Sequence, residues 1–242
     1  MLEANKIENN EYRPIAPWWH TAFLVALLLG FSLLGSLRPA HRALDQHHVM
    51  QYLATLGWEW RLAALVLWGI RLRGVSLRQL LGTRRPALRD WRDDFILAAA
   101  FWLAASIVLA TLGIIFQRAH LPTPEKTITQ IAPQNALQLF LWIALSISAG
   151  ICEELVFRGY LLRQFASFGH RLYAGVVISS LIFGVAHGYE GASGMIAITV
   201  YGALFCLLAI RRGSLRAGMI AHAWHDIFSG IALMILKHAH VL

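Results

Sequence analysis

Residues 135–165 read NALQLFLWIALSISAGICEELVFRGYLLRQF. A bilayer core of about 30 Å needs about 20 apolar residues to cross as a helix, and this run is long enough. Near its middle it carries two adjacent carboxylates, Glu153 and Glu154, and the cation Arg158. Ionisable groups are costly in such a setting and mark functional positions by default.

The rest of the chain extends that reading. Of 242 residues, 57% are hydrophobic and 14% charged, against about 45–50% and about 25% in soluble domains. The 21 basic and 13 acidic residues could not cover so much apolar surface in water. A soluble fold and a disordered chain are both excluded. The expected fold is all-α, a polytopic transmembrane helical bundle of about seven to eight membrane helices. Seven spans are read at Trp18–Leu37, Val49–Ile70, Asp94–Phe116, Asn135–Phe165, Arg171–His187, Gly194–Ile210 and Leu215–Leu236. Glu59 and Arg61 interrupt the second. The first is read as a retained helix, since Arg38-Pro39 follows it without a small-residue cleavage site. Cys152 and Cys206 lie in apolar stretches and read as small core residues.

The net charge of +8 could suggest nucleic acid in a soluble protein. Here the cations flank apolar runs, so no nucleic-acid partner is inferred and the charge is read as topology. Segment 71–92 carries Arg71, Arg73, Arg78, Arg84, Arg85, Arg89 and Arg92 and is expected to be cytoplasmic. Threading from there puts Lys6, Arg13, Arg171, Arg211, Arg212 and Arg216 on the same side, with the N-terminus inside and the C-terminus outside. A bacterial inner membrane suits a chain with such short loops. Val75–Leu81 reads as a short amphipathic helix on the membrane surface. Loop 117–134, with Pro122, Pro124 and Pro133, is expected to be irregular. One integral membrane domain is expected: residues 1–134 supply N-terminal membrane helices and the basic segment, and 135–242 a catalytic helical core.

Polar residues recur in the C-terminal half. The fifth span ends Phe183-Gly-Val-Ala-His187 and the seventh contains His222-Ala-Trp-His-Asp226. Measured from the nearest turn at 1.5 Å per residue, Glu153 and His187 lie about 21–26 Å up their helices and His222 about 12 Å. Tilt of the spans could bring the three clusters to one cavity, displaced towards the cytoplasm. Glu154 and Arg158 are four apart and face each other. Glu153, rotated by about 100°, cannot serve the same Arg equally well and is left for chemistry. His222 and Asp226 are also four apart, so Asp226 is expected to accept from the imidazole and fix its tautomer. Phe183 shares a face with His187.

Glu153-Glu154-x-x-x-Arg158, Phe183-x-x-x-His187 and His222-x-x-x-Asp226 together resemble the three signature motifs of the CAAX protease and bacteriocin-processing family. These are intramembrane proteases that include the type II CAAX prenyl endopeptidases. The resemblance covers about 135–230. It implies a glutamic intramembrane endopeptidase without a cofactor, acting on a membrane-associated peptide or protein. Carried over by position, Glu153 is the general base on water, assisted by His187. His222 and residue 226 stabilise the oxyanion, while Glu154 and Arg158 hold the helix and substrate groove. The family more often has Asn at the last position. An ionised Asp226 cannot donate a hydrogen bond, so it is either protonated or orients His222.

Other readings are weighed against this one. Glu153, His187 and His222 could bind Zn²⁺ from separate spans, although the chain has no H-E-x-x-H motif. A non-enzymatic immunity or scaffold protein could keep the motifs as structure. A transporter would need carboxylates through the full membrane depth, and the first three spans offer only Glu59 and Arg61. His41, His47 and His48 read as surface residues, His225 as structural, and Tyr189 and Glu190 as loop caps. Trp18, Trp19, Trp58, Trp60 and Trp68 read as interface anchors and lipid-facing bulk.

Overall fold

The computed structural model describes residues 13–36, 48–82, 86–121 and 131–239, without the side chains of residues 169 and 238. Among the described residues the chain is helical, with no strand. Its helices are α1 (Trp18–Ser36), α2 (His48–Arg71), α3 (Leu77–Leu81), α4 (Leu88–Arg118), α5 (Ala136–Ala166), α6 (Leu172–Ala186), α7 (Gly191–Arg212) and α8 (Arg216–His238). Each of the seven expected spans corresponds to one helix, and the expected surface helix corresponds to α3. By length and composition, α1, α4, α5, α7 and α8 are apolar enough to cross a membrane. The shorter α6 is also apolar, and α2 is long enough but carries Glu59 and Arg61. The outer surface is covered with Leu34, Ile107, Phe140 and many similar side chains, each more than half exposed. A soluble monomer does not display so much contiguous apolar area. The chain is an integral membrane protein.

The third span and the loop after it depart most from the sequence reading. The third was placed from Asp94, but α4 starts at Leu88, where Asp90 accepts from the Ala87 N–H at 2.8 Å and so satisfies a donor at the helix start. Loop 117–134 is helical up to Arg118, and residues 122–130 of it lie outside the described residues. His41 and His47 are also outside them. His48 is not a surface residue: it is buried, 3.3 Å from Gln138 Oε1.

α5 is the central helix and packs against α2, α6 and α8. Its apolar window is 44% buried within the protein, against 11% for that of α4, which mostly faces outward. Helices in lipid gain little from burying apolar surface against each other, so they associate through close packing at small residues. Gly150 shows this: a Cβ there would come within 2.7 Å of the Met219 carbonyl oxygen on α8. One apolar core gathers Leu24, Leu28, Val66, Ile70, Val156 and Phe183, and a second gathers Ala98, Ala105, Tyr201, Phe205 and Ala221.

The basic segments meet at one end of the bundle. Ile15 and Ala16 N–H groups donate to Gln164 Oε1 at 2.9 and 3.1 Å. Arg163 donates to the Gln79 and Leu80 carbonyls, and Ser214 Oγ donates to Leu81 O at 3.0 Å. Asp94, fully buried, accepts from Arg212 Nε and Arg216 Nε, each at 2.6 Å. This carboxylate ties α4 to the turn between α7 and α8. Asp94→Ala should lower the stability of the detergent-solubilised protein by about 2–3 kcal/mol, the range for a charged hydrogen-bonded group, read from thermal unfolding.

Candidate active site

The long helix α5 changes its winding where the motif begins. Ala136–Glu153 is α-helical, and Glu154–Leu161 is π-helical, with the Leu162 N–H reaching back to Phe157 O. π-turns are rare and concentrate at functional sites. All eight π-helical residues are buried, so their neighbours hold the segment more than its own propensity does. Ser179 Oγ on α6 donates to Phe157 O at 2.8 Å. Tyr160 Oη bonds His20 Nδ1 at 2.8 Å and Thr21 Oγ1 at 2.9 Å on α1. Nothing in the 135–165 sequence distinguishes this winding from an ordinary helix.

Glu154 is the hub of the site. Its carboxylate is fully buried, and Oε1 accepts from Arg158 Nη1 at 2.8 Å and lies 3.1 Å from His222 Nδ1. Arg158, equally buried, also donates from Nη2 to Gly202 O at 3.2 Å. Its guanidinium lies over the rings of Phe183 and Phe205, 4.3 and 4.8 Å from their centroids. The group is thus matched by a carboxylate, a carbonyl and two π-faces, as an unhydrated cation requires. Two glycines make the space. A Cβ at Gly218 would lie 2.9 Å from Glu154 Oε2, and one at Gly202 would lie 2.9 Å from the Phe183 ring.

The imidazoles are oriented by different partners. With Glu154 accepting, His222 Nδ1 carries a proton and Nε2 faces away from the ion pair. Nε2 then lies 3.7 Å from Glu153 Oε2 and 3.8 Å from Asp226 Oδ2. Contrary to the expectation from spacing, Asp226 stands beyond hydrogen-bond distance, and Glu154 takes the orienting role instead. Glu154 comes from a facing helix, a relation that i,i+4 spacing cannot register. His187 ends α6, and its Nδ1 donates to Phe183 O at 2.8 Å, leaving Nε2 free. The Phe183 ring packs on His187 at 4.8 Å and reaches His222 at 6.3 Å, so it stands between them. Ser32 on α1 clamps the same helix end, donating to Val185 O at 2.5 Å and accepting from the Gly188 N–H at 3.2 Å.

The fold therefore gathers Glu153, Glu154 with Arg158, Phe183 and Asp226 around His222, with His187 joined through Phe183. His225 packs instead against the Tyr201 ring at 4.9 Å. Tyr189 and Glu190 form the 3₁₀ turn after His187. Two further residues border the site. Trp142 Nε1 donates to the backbone oxygen of Asp226 at 2.8 Å. Glu59 on α2 accepts from Ser148 Oγ at 2.7 Å. A charge interrupting an apolar span was the visible signal for Glu59; Trp142 had none beyond its residue type. Among the described residues, no group of three His, Cys, Asp or Glu side chains is arranged to hold a metal ion.

Fold and site together define a class: a polytopic helical membrane protein with a carboxylate–imidazole centre buried between its helices. Residues 133–228 match the family described as Type II CAAX prenyl endopeptidase Rce1-like. That segment contains all three motifs, and the match agrees with the resemblance read from its residues. In general terms the family is one of CAAX-type intramembrane proteases, hydrolases acting on a peptide or protein substrate. No curated protein and no solved structure matches the chain.

Because Arg158 and Glu154 are buried together, removing one leaves the other charge uncompensated. Arg158→Met should cost about 3–5 kcal/mol in thermal or chemical unfolding, and Arg158→Lys, lacking the planar fork, should not restore the loss fully.

Proposed function

We propose that the protein is an intramembrane endopeptidase that hydrolyses a peptide bond with a water activated by Glu153. The observation that carries this reading is the setting of His222. Glu154 grips its Nδ1, while Nε2 stands 3.7 Å from Glu153 and 3.8 Å from Asp226. Those separations are too long for direct hydrogen bonds, and the buried Glu153 Oε2 has no other hydrogen-bond partner among the described residues, which leaves it available to water.

In the proposed reaction, ionised Glu153 takes a proton from water as the water oxygen attacks the substrate carbonyl. His187, whose free Nε2 can accept, helps orient that water. The carbonyl oxygen becomes an oxyanion and accepts from His222 Nε2–H, which is present in the imidazolium form. Collapse of the tetrahedral intermediate breaks the C–N bond, and the proton held by Glu153 passes to the leaving amine. As a carboxylate, Asp226 balances the imidazolium charge; oxyanion donation falls to His222. Glu154, Arg158 and Phe183 hold the two histidines in place. The chemistry requires neither Cys152 nor a serine nucleophile, and no metal is invoked.

Candidate substrates are membrane-associated tails: prenylated C-a-a-X termini, bacteriocin or signalling peptides, and C-terminal sorting segments. The end where Arg73, Arg78, Arg163, Arg171 and Arg211 gather would face the cytoplasm. In a bacterial inner membrane this puts the N-terminus inside and gives substrates access from the inner leaflet.

In liposomes, Glu153→Gln and His222→Ala should each reduce cleavage at least about 10²-fold while the protein stays folded. Cleavage by the parent should survive chelators. Comparing membrane peptides by mass spectrometry, from cells with the parent and with Glu153→Gln, identifies the substrate. Activity lost to chelator and restored by Zn²⁺ would replace this mechanism with a zinc-dependent one. A cellular phenotype untouched by both substitutions would replace it with a scaffold role.

A further inference from the structure

Tyr201 on α7 takes no part in the reaction above. It is only 6% exposed. Its hydroxyl oxygen is buried and has no hydrogen-bond partner among the described residues. The two other buried tyrosines there are satisfied: Tyr52 Oη donates to Ile131 O, and Tyr160 Oη bonds His20 and Thr21.

The Tyr201 ring has a packing role of its own. It lies 4.6 Å from the Phe205 ring and 6.4 Å from the Phe101 ring, in the apolar core that also holds Ala98, Ala105 and Ala221. A phenylalanine would pack there as well and would avoid the cost of a buried, unpaired hydroxyl. The hydroxyl therefore calls for a partner that the folded chain does not supply.

The ring's other neighbours point to that partner. Tyr201 packs on His225 at 4.9 Å and meets His222 in a T-shaped contact at 6.5 Å. Phe205 touches both, with its ring 5.2 Å from His222. The next residue, Gly202, accepts from Arg158 through its carbonyl. Tyr201 thus stands on the α7 wall of the site, beside the imidazole proposed to hold the oxyanion. Three further buried polar atoms without a partner, Glu153 Oε2, Glu154 Oε2 and Arg158 Nε, belong to the same site. The proposed reaction creates a strong acceptor there. An oxyanion has lone pairs for more than one donor, His222 Nε2–H supplies one, and an ionised Asp226 supplies none.

We propose that Tyr201 is a second oxyanion donor of the active site: its hydroxyl donates to the scissile carbonyl oxygen as that oxygen gains negative charge. The proposal rests on the reading of Glu153 as base and His222 as first donor. The hydroxyl keeps its proton throughout, so the proton balance of the reaction is unchanged. A donor bound to no protein group gives up no protein hydrogen bond on reaching the transition state, and the new bond lowers the barrier.

Tyr201→Phe keeps the ring and removes only the hydroxyl. The assay, in liposomes, uses the membrane peptide that the parent cleaves and Glu153→Gln does not. With Tyr201→Phe, kcat should fall about 10²-fold with KM little changed. No bond within the protein is lost, so the variant should unfold at the parent's temperature or above it. A Tyr201→Phe protein with the parent's kcat and KM overturns the proposal and leaves Glu153 as base. A loss confined to KM overturns it too, because the hydroxyl then serves binding alone. A fall in kcat together with a lower unfolding temperature also overturns it, by giving the hydroxyl a structural partner. A parent without peptidase activity, or an active Glu153→Gln variant, overturns the underlying reading instead.

Discussion

The site depends on one buried contact, between the Glu154 carboxylate and the Arg158 guanidinium. Neither group reaches solvent. In a medium that hydrates neither ion, each remaining donor and acceptor needs a protein partner. Arg158 therefore draws in the Gly202 carbonyl from α7 and the rings of Phe183 and Phe205. Glu154 draws in the imidazole of His222 from α8. Four helices converge on two side chains. The absence of a Cβ at Gly202 and Gly218 follows from that convergence, because a methyl group at either would enter the space of the pair or of the ring beside it.

This arrangement divides the work of the two adjacent glutamates. Glu154 Oε1 is held by Arg158 and His222, whereas Glu153 faces His222 Nε2 without a close partner. Adjacent carboxyls on a helix point in different directions, so one can be a fixed structural anion while its neighbour stays available. The supports extend well beyond the motifs. Trp142 grips the backbone at Asp226, and Ser32 grips the end of α6 beside His187. Both come from residues with no chemistry of their own. A site held to a fraction of an ångström needs such supports on rigid elements.

Much of this was legible in the chain. In lipid, charge is expensive, so the few buried charges stand out against long apolar runs. That made the seven helices readable and singled out Glu153, Glu154, Arg158, His187, His222 and Asp226. Spacing correctly paired Glu154 with Arg158, because both lie on one helix and their separation is local. It failed for Asp226 and His222, where a competing carboxylate arrives from another helix. It also gave no notice of the π-helical winding of 154–161, which depends on Ser179, Tyr160 and other contacts around the segment.

The chain alone therefore determined that the protein is helical and membrane-embedded, where its spans run, and which few polar residues lie inside them. Those properties come from composition and periodicity, which are local and additive along the chain. Tertiary structure decided which carboxylate holds which imidazole, that His48 is buried, and that Glu59 of α2 accepts from Ser148 on α5. Hydrogen bonds and charge–charge interactions act over a few ångströms in space. Residues 59 and 148 acquire that proximity only when α2 packs on α5.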